Sequence, residues 1–298
     1  MAEVTLMKLK IATTQYGLDD IGSESRFWTR IEEKTKEAAG AGAGLIVFPE
    51  YMTAHLLSLV PSMSHEGACG YLADRTDEYA RFFAALSAET GIAILAGTHV
   101  ARVDGGYANR AYLFFPDGRI ERQDKVHLTP EEQNHWPLIA GEELNVFDTA
   151  WGKTTILICY DIEFPELARA AAVRGAELLL CPSYTETAFG YYRVRYCAQA
   201  RAVENQLFVA LSGLAGELTE ERPQIDRAYS LAGTFAPCDY PFVPDGVLAL
   251  GESSEDATVL AEVDFELLRE NRERGAVAPF FDRRPELYER ELRKASVE

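Results

Sequence analysis

The sequence predicts an α/β fold, a mixed sheet covered by helices in one domain, on three observations. Short apolar runs of β-branched and aliphatic residues end abruptly at polar residues, as buried strands do. Leu45-Ile46-Val47-Phe48 stops at Pro49-Glu50, and Thr154-Thr155-Ile156-Leu157-Ile158 stops at Cys159. Amphipathic stretches of helical period separate the early runs. A hairpin signal at Pro116-Asp117-Gly118 then interrupts the alternation before α/β order resumes.

In chain order, Leu9, Ile11 and Thr13 alternate with Lys10 and Ala12 in a strand ending at Gln15. A helix runs from about Ser23 to Ala41, with Ser23 or Ser25 as its cap and Gly40, Gly42 and Gly44 as its exit. After the Leu45–Phe48 strand, Thr76 to Gly91 reads as a second helix and Ile92 to Val100 as an apolar strand. Two strands flank the hairpin turn, and the second runs into Asp124-Lys125-Val126-His127. From about Leu128 to Glu143 a long charged loop carries Trp136, and a loop of that length is more often functional than filler. Strands at Leu144–Asp148 and Lys153–Ile158 lead to Cys159, then a polar turn and a helix opened by Phe164-Pro165-Glu166-Leu167 that ends near Gly175. Leu178–Cys181 is a buried strand stopped by Pro182, Tyr191–Gln206 a helix, and Leu207–Ser212 a strand. Strands near Ala228–Thr234, Val247–Leu250 and Val259–Val263 and a helix over Phe265–Arg272 complete the pattern. Residues 1–298 read as a single domain without linker or repeat, and 275–298 as an aromatic, charged tail suited to packing at an oligomer interface.

Composition excludes several classes. Acidic residues outnumber basic ones by 47 to 29, a net charge of −18. That field repels nucleic acid and anionic lipid, so neither is an expected partner. No apolar run approaches the roughly 20 residues of a membrane span. The five cysteines (Cys69, Cys159, Cys181, Cys197, Cys238) are odd in number and form no C-x-x-C pair. Without an export signal at Met1 to Lys10, they read as the thiols of a reduced, cytoplasmic protein.

The chemistry lies in three polar residues that end apolar strands alike, Glu50, Lys125 and Cys159. Ligands in α/β sheets gather at the carboxyl ends of strands, so the three are expected to converge on one crevice. Cys159 stands before a helix N-terminus, whose dipole favours a thiolate and any oxyanion it generates. A glutamate can take the thiol proton and return it to a leaving amine. An ammonium can stabilise the oxyanion of a tetrahedral intermediate beside the backbone N–H of Tyr160. Singly, each has a plain reading: a buried structural cysteine, a loop carboxylate, a surface lysine. Their conjunction at strand ends, in order, favours the functional one. Tyr51, Trp136, Tyr160 and Tyr184 follow strand ends, where pocket walls form. The five histidines (His55, His65, His99, His127, His135) show no metal spacing, and no dinucleotide or phosphate loop is present, so no metal or cofactor is expected. Cys181, Cys197 and Cys238 read as structural.

Phe48-Pro49-Glu50, Asp124-Lys125-Val126-His127-Leu128 and Cys159-Tyr160-Asp161 with Phe164-Pro165-Glu166 together resemble the three signatures of the nitrilase (carbon–nitrogen hydrolase) superfamily. Arg201-Ala202-Val203-Glu204-Asn205 resembles its later R-A-x-E-N helix, and the likeness extends from about Lys8 to Arg274. The strings around His127–Glu132, Tyr192–Arg201 and Pro237–Phe242 resemble a branch sometimes fused to a GNAT-type acetyltransferase, although 298 residues leave room only for the hydrolase unit. One departure is Ser212-Gly213, where many superfamily members have Asn.

The resemblance implies an αββα sandwich that pairs face to face as a homodimer. It also implies a Glu–Lys–Cys triad cleaving a non-peptide C–N bond through a thioester. Glu50 is then the general base, Lys125 the oxyanion partner and Cys159 the nucleophile. A second glutamate, seven residues after the lysine in many members, maps to Glu132, with Glu131 as its neighbour. The expectation is a cysteine amidohydrolase acting on a small linear amide or carbamoyl amine. A nitrile hydrolase using the same triad and a non-catalytic interaction module are the alternatives.

Overall fold

A computed structural model describes residues 8–295. The last three residues of the tail, 296–298, lie outside that range. The chain opens with β1 (Lys8–Leu18). Ser23 then caps α1 (Glu24–Gly40), its hydroxyl accepting the Arg26 N–H at 3.2 Å, which decides between the two serines. β2 (Leu45–Val47) leads through a 3-10 segment, Met52–Leu59, to α2 (His65–Ala73) and α3 (Thr76–Thr90). Helix α2 escapes the sequence pattern because Gly67 and Gly70 lower its propensity; it is held by burying Ala68, Cys69 and Leu72. β3 (Ala93–Val103), β4 (Gly106–Phe114) and β5 (Ile120–Asp124) follow as antiparallel neighbours.

The stretch expected as a loop contains α4 (Pro130–His135). Its cause is a capping box: Thr129 Oγ1 accepts the Glu132 N–H, and Glu132 Oε2 accepts the Thr129 N–H. β6 (Val146–Thr149) and β7 (Gly152–Ile156) precede α5 (Pro165–Val173) and β8 (Leu178–Ser183). β8 passes through Pro182, where a stop was expected. Residue 182 faces the same side as Leu180, and β7 ends opposite Leu180, so the missing N–H costs no ladder bond.

α6 (Ala188–Asn205) and β9 (Phe208–Glu217) come next. The strand expected at Ala228–Thr234 is two short pieces, β10 (Arg227–Ala228) and β11 (Gly233–Phe235). Between them, the Tyr229 and Ser230 N–H groups bond to Thr185 O and Ser254 Oγ instead of a strand. β12 (Val247–Leu250), β13 (Ala257–Asp264), α7 (Phe265–Arg274) and α8 (Pro285–Ala295) finish the described chain.

β1 is shared by two halves of the sheet. Its first residues pair in parallel with β2 and antiparallel with β13, while Gln15 to Leu18 pair with β9. The strand order β5-β4-β3-β2-β1-β9-β8-β7-β6 therefore folds into two packed layers. Period-two alternation assigns the side chains. Leu45, Val47, Leu95 and Leu113 point into one core with Ile156, Leu179 and Val209 of the other half. Ile46, Phe48, Ile94 and Phe114 point the opposite way, onto Phe27 and Ile31 of α1 and Phe83 of α3. α5 and α6 cover the second half through Ala168, Ala172, Val194 and Ala198. This is the αββα sandwich. Ser212, on β9, ties the halves together: its hydroxyl donates to Thr14 O at 2.6 Å and lies 3.0 Å from Thr14 Oγ1.

One local device seats the turn after β2. β3 shifts register between Leu95 and Thr98, and Gly97 there takes a left-handed backbone, φ +66. A Cβ at Gly97 would overlap the carbonyl oxygen of Pro49. The bulge also presents Thr98 Oγ1 to the Tyr51 N–H at 2.9 Å. Gly97→Ala is expected to destabilise the protein by roughly 3 kcal/mol in urea unfolding, because both the left-handed φ and the overlap must be relieved. It also displaces Glu50, so any activity that depends on that residue falls with it.

Candidate active site

Glu50 follows β2, Lys125 follows β5, Cys159 follows β7 and Ser183 ends β8, so strand ends from both halves of the sheet meet at one point. Two bonded links hold them there. Asp161, fully buried, accepts the Val126 and His127 N–H groups at 3.2 and 2.7 Å and the Ile158 N–H at 3.3 Å, joining the lysine segment to the cysteine segment. Arg201 on α6 donates to the carbonyls of Ile162 and Glu163, both at 2.9 Å, clamping the turn after the cysteine.

The Lys125 ammonium is 2% exposed and makes three short bonds: to Glu50 Oε1 at 2.8 Å, and to Glu132 Oε1 and Oε2 at 2.8 and 2.7 Å. Each carboxylate has further donors. Glu50 accepts the Asn109 amide at 2.9 Å and the Tyr184 backbone N–H at 2.9 Å. Glu132 accepts the Tyr51 hydroxyl at 2.6 Å and the Asn109 amide at 3.2 Å. Burial opposes the lysine charge, yet the two carboxylates outweigh it and hold its pKa above the ordinary lysine value. Glu132 is lowered: burial works against its charge, and Lys125 wins. Glu50 is raised, by burial first and by the Glu132 charge, with Lys125 only partly offsetting them. The neighbours Glu131 and Glu132 thus part company. Glu132 is buried on the lysine, whereas the Glu131 side chain is 57% exposed near His135.

The polar turn after Cys159 is a 3-10 turn, Cys159–Glu163, and α5 begins at Pro165 as expected. The thiol itself differs from expectation. It is pushed well above the ordinary value, by burial first and then by the Glu50 charge, against a smaller lowering by Lys125. The resting sulfur is a neutral thiol, because one short turn does not outweigh desolvation. Sγ accepts the Ser183 hydroxyl at 3.2 Å and donates to Tyr184 O at 3.3 Å. Cys159 and Tyr51 both sit in left-handed backbone, φ 47 and 55, a strain seen mostly where geometry is over-determined.

Above the sulfur lies a cavity of about 320 Å³. Glu50, Lys125, Glu132 and Cys159 form part of its lining, as do Tyr160 and the three candidate wall residues Tyr51, Trp136 and Tyr184. The Tyr51 and Trp136 rings lie 5.1 Å apart, and Tyr184 stands edge-on to Tyr51 at 6.3 Å. No histidine is in the cavity lining, although His65 and His135 stand beside Glu131 and the His127 ring lies 3.0 Å from Asp161; His99 stacks on Tyr79 at 4.6 Å and burial lowers its pKa to about 3. The sequence reading missed Asn109, Ser183 and the work of Asp161. Asn109 lies in a strand with no motif to mark it. Ser183 has a faint signal, as the polar residue just beyond Leu178–Cys181. The Thr129-Pro130-Glu131-Glu132 capping box was legible and would have chosen Glu132 over Glu131.

Comparison with known proteins shows the family. A family model described as carbon–nitrogen hydrolase matches residues 10–273. "Probable hydrolase YhcX" of Bacillus subtilis is 40% identical over 286 residues, covering 96% of this chain; the chain spans only 56% of that relative's length. "Omega-amidase NIT2" of Xenopus tropicalis is 26% identical over 298 residues, covering 97% of this chain and 100% of the relative. Among solved structures, an amidase of Nesterenkonia AN1 from the nitrilase superfamily superimposes with a TM-score of 0.74 at 21% identity, covering 95% of this chain and 96% of the other. Saccharomyces cerevisiae Nit3, a nitrilase-superfamily member, gives 0.69 at 26%, covering 91% and 96%. With its model match over nearly the whole length and its sandwich shared with these structures, the chain belongs to the carbon–nitrogen hydrolase family.

Proposed function

We propose that this chain is a cysteine amidohydrolase that cleaves a small linear amide or carbamoyl amine through a thioester on Cys159. The observation that carries the reading is the buried Lys125 ammonium shared between Glu50 and Glu132 at the floor of the cavity that exposes Cys159. Relatives named omega-amidase and amidase support the reaction class.

The steps follow from the protonation states. As Sγ bonds to the substrate carbonyl carbon, Glu50 takes the thiol proton; a raised carboxyl pKa and a raised thiol pKa bring donor and acceptor closer together. The carbonyl oxygen becomes an oxyanion, faced by the Lys125 ammonium and the Tyr160 backbone N–H. Glu50 returns the proton to the nitrogen, the C–N bond breaks, and the amine leaves as ammonia in the case of a primary amide. Water then attacks the thioester and gives a proton to Glu50. The tetrahedral intermediate collapses, the C–S bond breaks, and the sulfur regains its proton as the acid departs. Glu132 holds the ammonium in place through both its oxygens and orients it, and the incoming water, for these steps. Lys125 keeps its proton throughout.

Electrophile labelling and ammonia release test the reading directly. Iodoacetamide is expected to label Cys159 in the wild type and to leave Cys159→Ala unlabelled at that position, and an amide panel to release ammonia only with the former. Product from nitriles alone would replace the amidase with a nitrile hydrolase, and an inert Cys159 would leave an interaction module.

The acid limb of kcat/KM is expected above the ordinary carboxylate range, since activity is lost as Glu50 takes a proton at its raised pKa. Glu132→Gln removes a like charge and leaves Lys125 to Glu50 alone. The limb then moves to lower pH while kcat falls about 10- to 100-fold. A limb that stays in place would mean that Glu50 is not the base.

For assembly, we propose a single hydrolase domain that pairs with a second copy through its outer helices. Tyr192 and Tyr196 on α6 are 37% and 62% exposed, and Phe281 and Tyr288 near the chain end are 60% and 48% exposed. Removing residues 285–298 is expected to shift sedimentation toward monomer; an unchanged dimer would exclude α8 from the interface.

A further inference from the structure

We infer that the substrate carries a positive charge at the end away from the scissile bond: a linear ω-ammonium amide or ω-ammonium carbamoyl amine. The inference rests on the amidohydrolase reading and names the chemistry that its cavity selects. The cavity wall holds five carboxylates, those of Glu50, Glu131, Glu132, Glu163 and Glu186, against two cations, Lys125 and Arg193. Both cations are already engaged. Lys125 is enclosed by Glu50 and Glu132. Arg193 is turned onto Glu163, its Nε lying 2.8 and 2.9 Å from the two carboxylate oxygens. A substrate carboxylate entering this cavity therefore meets no cation that is not already bound to a carboxylate.

Two carboxylates are left over. Glu186 pairs with no cation among the described residues. Glu131 has His135 at 3.6 Å and His65 at 4.0 Å beside it, and no lysine or arginine pairs with it among the described residues. The uncharged wall mixes aromatic rings with threonines, Pro223 and Gln224. Tyr51, Trp136 and Tyr184 turn ring faces and edges around the space, and Phe189 stands 87% exposed at the same lining. Ring faces attract an ammonium and offer a carboxylate nothing. A chain with a net charge of −18 adds a long-range field of the same sign, raising the local concentration of cations at the mouth.

The test separates this inference from the one beneath it. Alkylation of Cys159 in the intact protein is followed by mass spectrometry with three probes, bromoethylammonium, iodoacetamide and bromoacetate. Each rate is divided by the rate of the same probe with free glutathione, which removes intrinsic reactivity. The ratio is expected to be at least tenfold higher for bromoethylammonium than for bromoacetate, with iodoacetamide between them. The gap narrows in Glu131→Gln/Glu186→Gln, and it narrows with added salt. In hydrolysis, an ω-aminoalkanamide is expected to exceed the ω-carboxyalkanamide of equal length by a similar factor in kcat/KM. If bromoacetate labels as fast as bromoethylammonium after correction, or the carboxyalkanamide is the better substrate, the cationic preference is wrong while the amidohydrolase stands. If iodoacetamide leaves Cys159 untouched and no amide releases ammonia, the amidohydrolase reading fails and this inference with it.

Discussion

One buried ammonium organises the centre of this protein. Lys125 is 2% exposed and is held by short bonds to Glu50 and Glu132. Three ionised groups out of water cost several kcal/mol each in desolvation, so the arrangement exists only because every oxygen is also supplied with donors. Asn109 gives its amide to both carboxylates, Tyr51 its hydroxyl to one, and Tyr184 and Thr129 their backbone N–H groups. Those donors come from a strand, a strained turn, the end of β8 and a helix cap. The fold must bring all of them to one point before any of the three charges is tolerable. Removing one partner leaves an unpaired charge in place, which is why such clusters are rigid as well as costly.

The same cluster sets the sulfur's state. A strand-end cysteine near a helix start invites the assumption of a thiolate. Here burial and the Glu50 charge raise the thiol, and Lys125, already shared between two carboxylates, recovers only part of the loss. On the proposed reading, the nucleophile is a protonated thiol beside a base whose own pKa is raised. Reactivity on that reading depends on proton transfer during attack, when the oxyanion gives the ammonium something further to stabilise. The left-handed backbone at Tyr51 and Cys159 belongs to the same design. Each residue lies three or four positions past a strand end and belongs to the cavity lining.

Above this floor the wall changes character. The proposed chemistry needs only a carbonyl and a nitrogen, but the acidic and aromatic lining extends further, through Glu131, Glu186, Trp136 and Phe189. Those residues belong to α4, to the segment after β8 and to the start of α6, not to the strand ends that deliver the triad. Floor and wall meet in α4, which sends Glu132 to the lysine and Glu131 to the wall.

Much of this was legible in one dimension. Period-two alternation and abrupt apolar stops located β2, β7 and β8 to within a residue or two, and the strand-end positions of Glu50, Lys125 and Cys159 followed from the same pattern. Such signals are local, so the sequence by itself determined them. The elements it did not show were those whose stability comes from elsewhere: α2, weakened by two glycines and held by its buried face, and α8, which has no core pattern. α4 was a different case, since its capping box was written in the sequence and passed over. Tertiary structure alone decided the rest. It drew Asn109 out of an unmarked strand, brought Glu132 against both the lysine and Tyr51, and raised the thiol above its ordinary value. Each of those outcomes depends on burial and on distances between residues far apart in the chain, and neither quantity is carried by any short stretch of sequence.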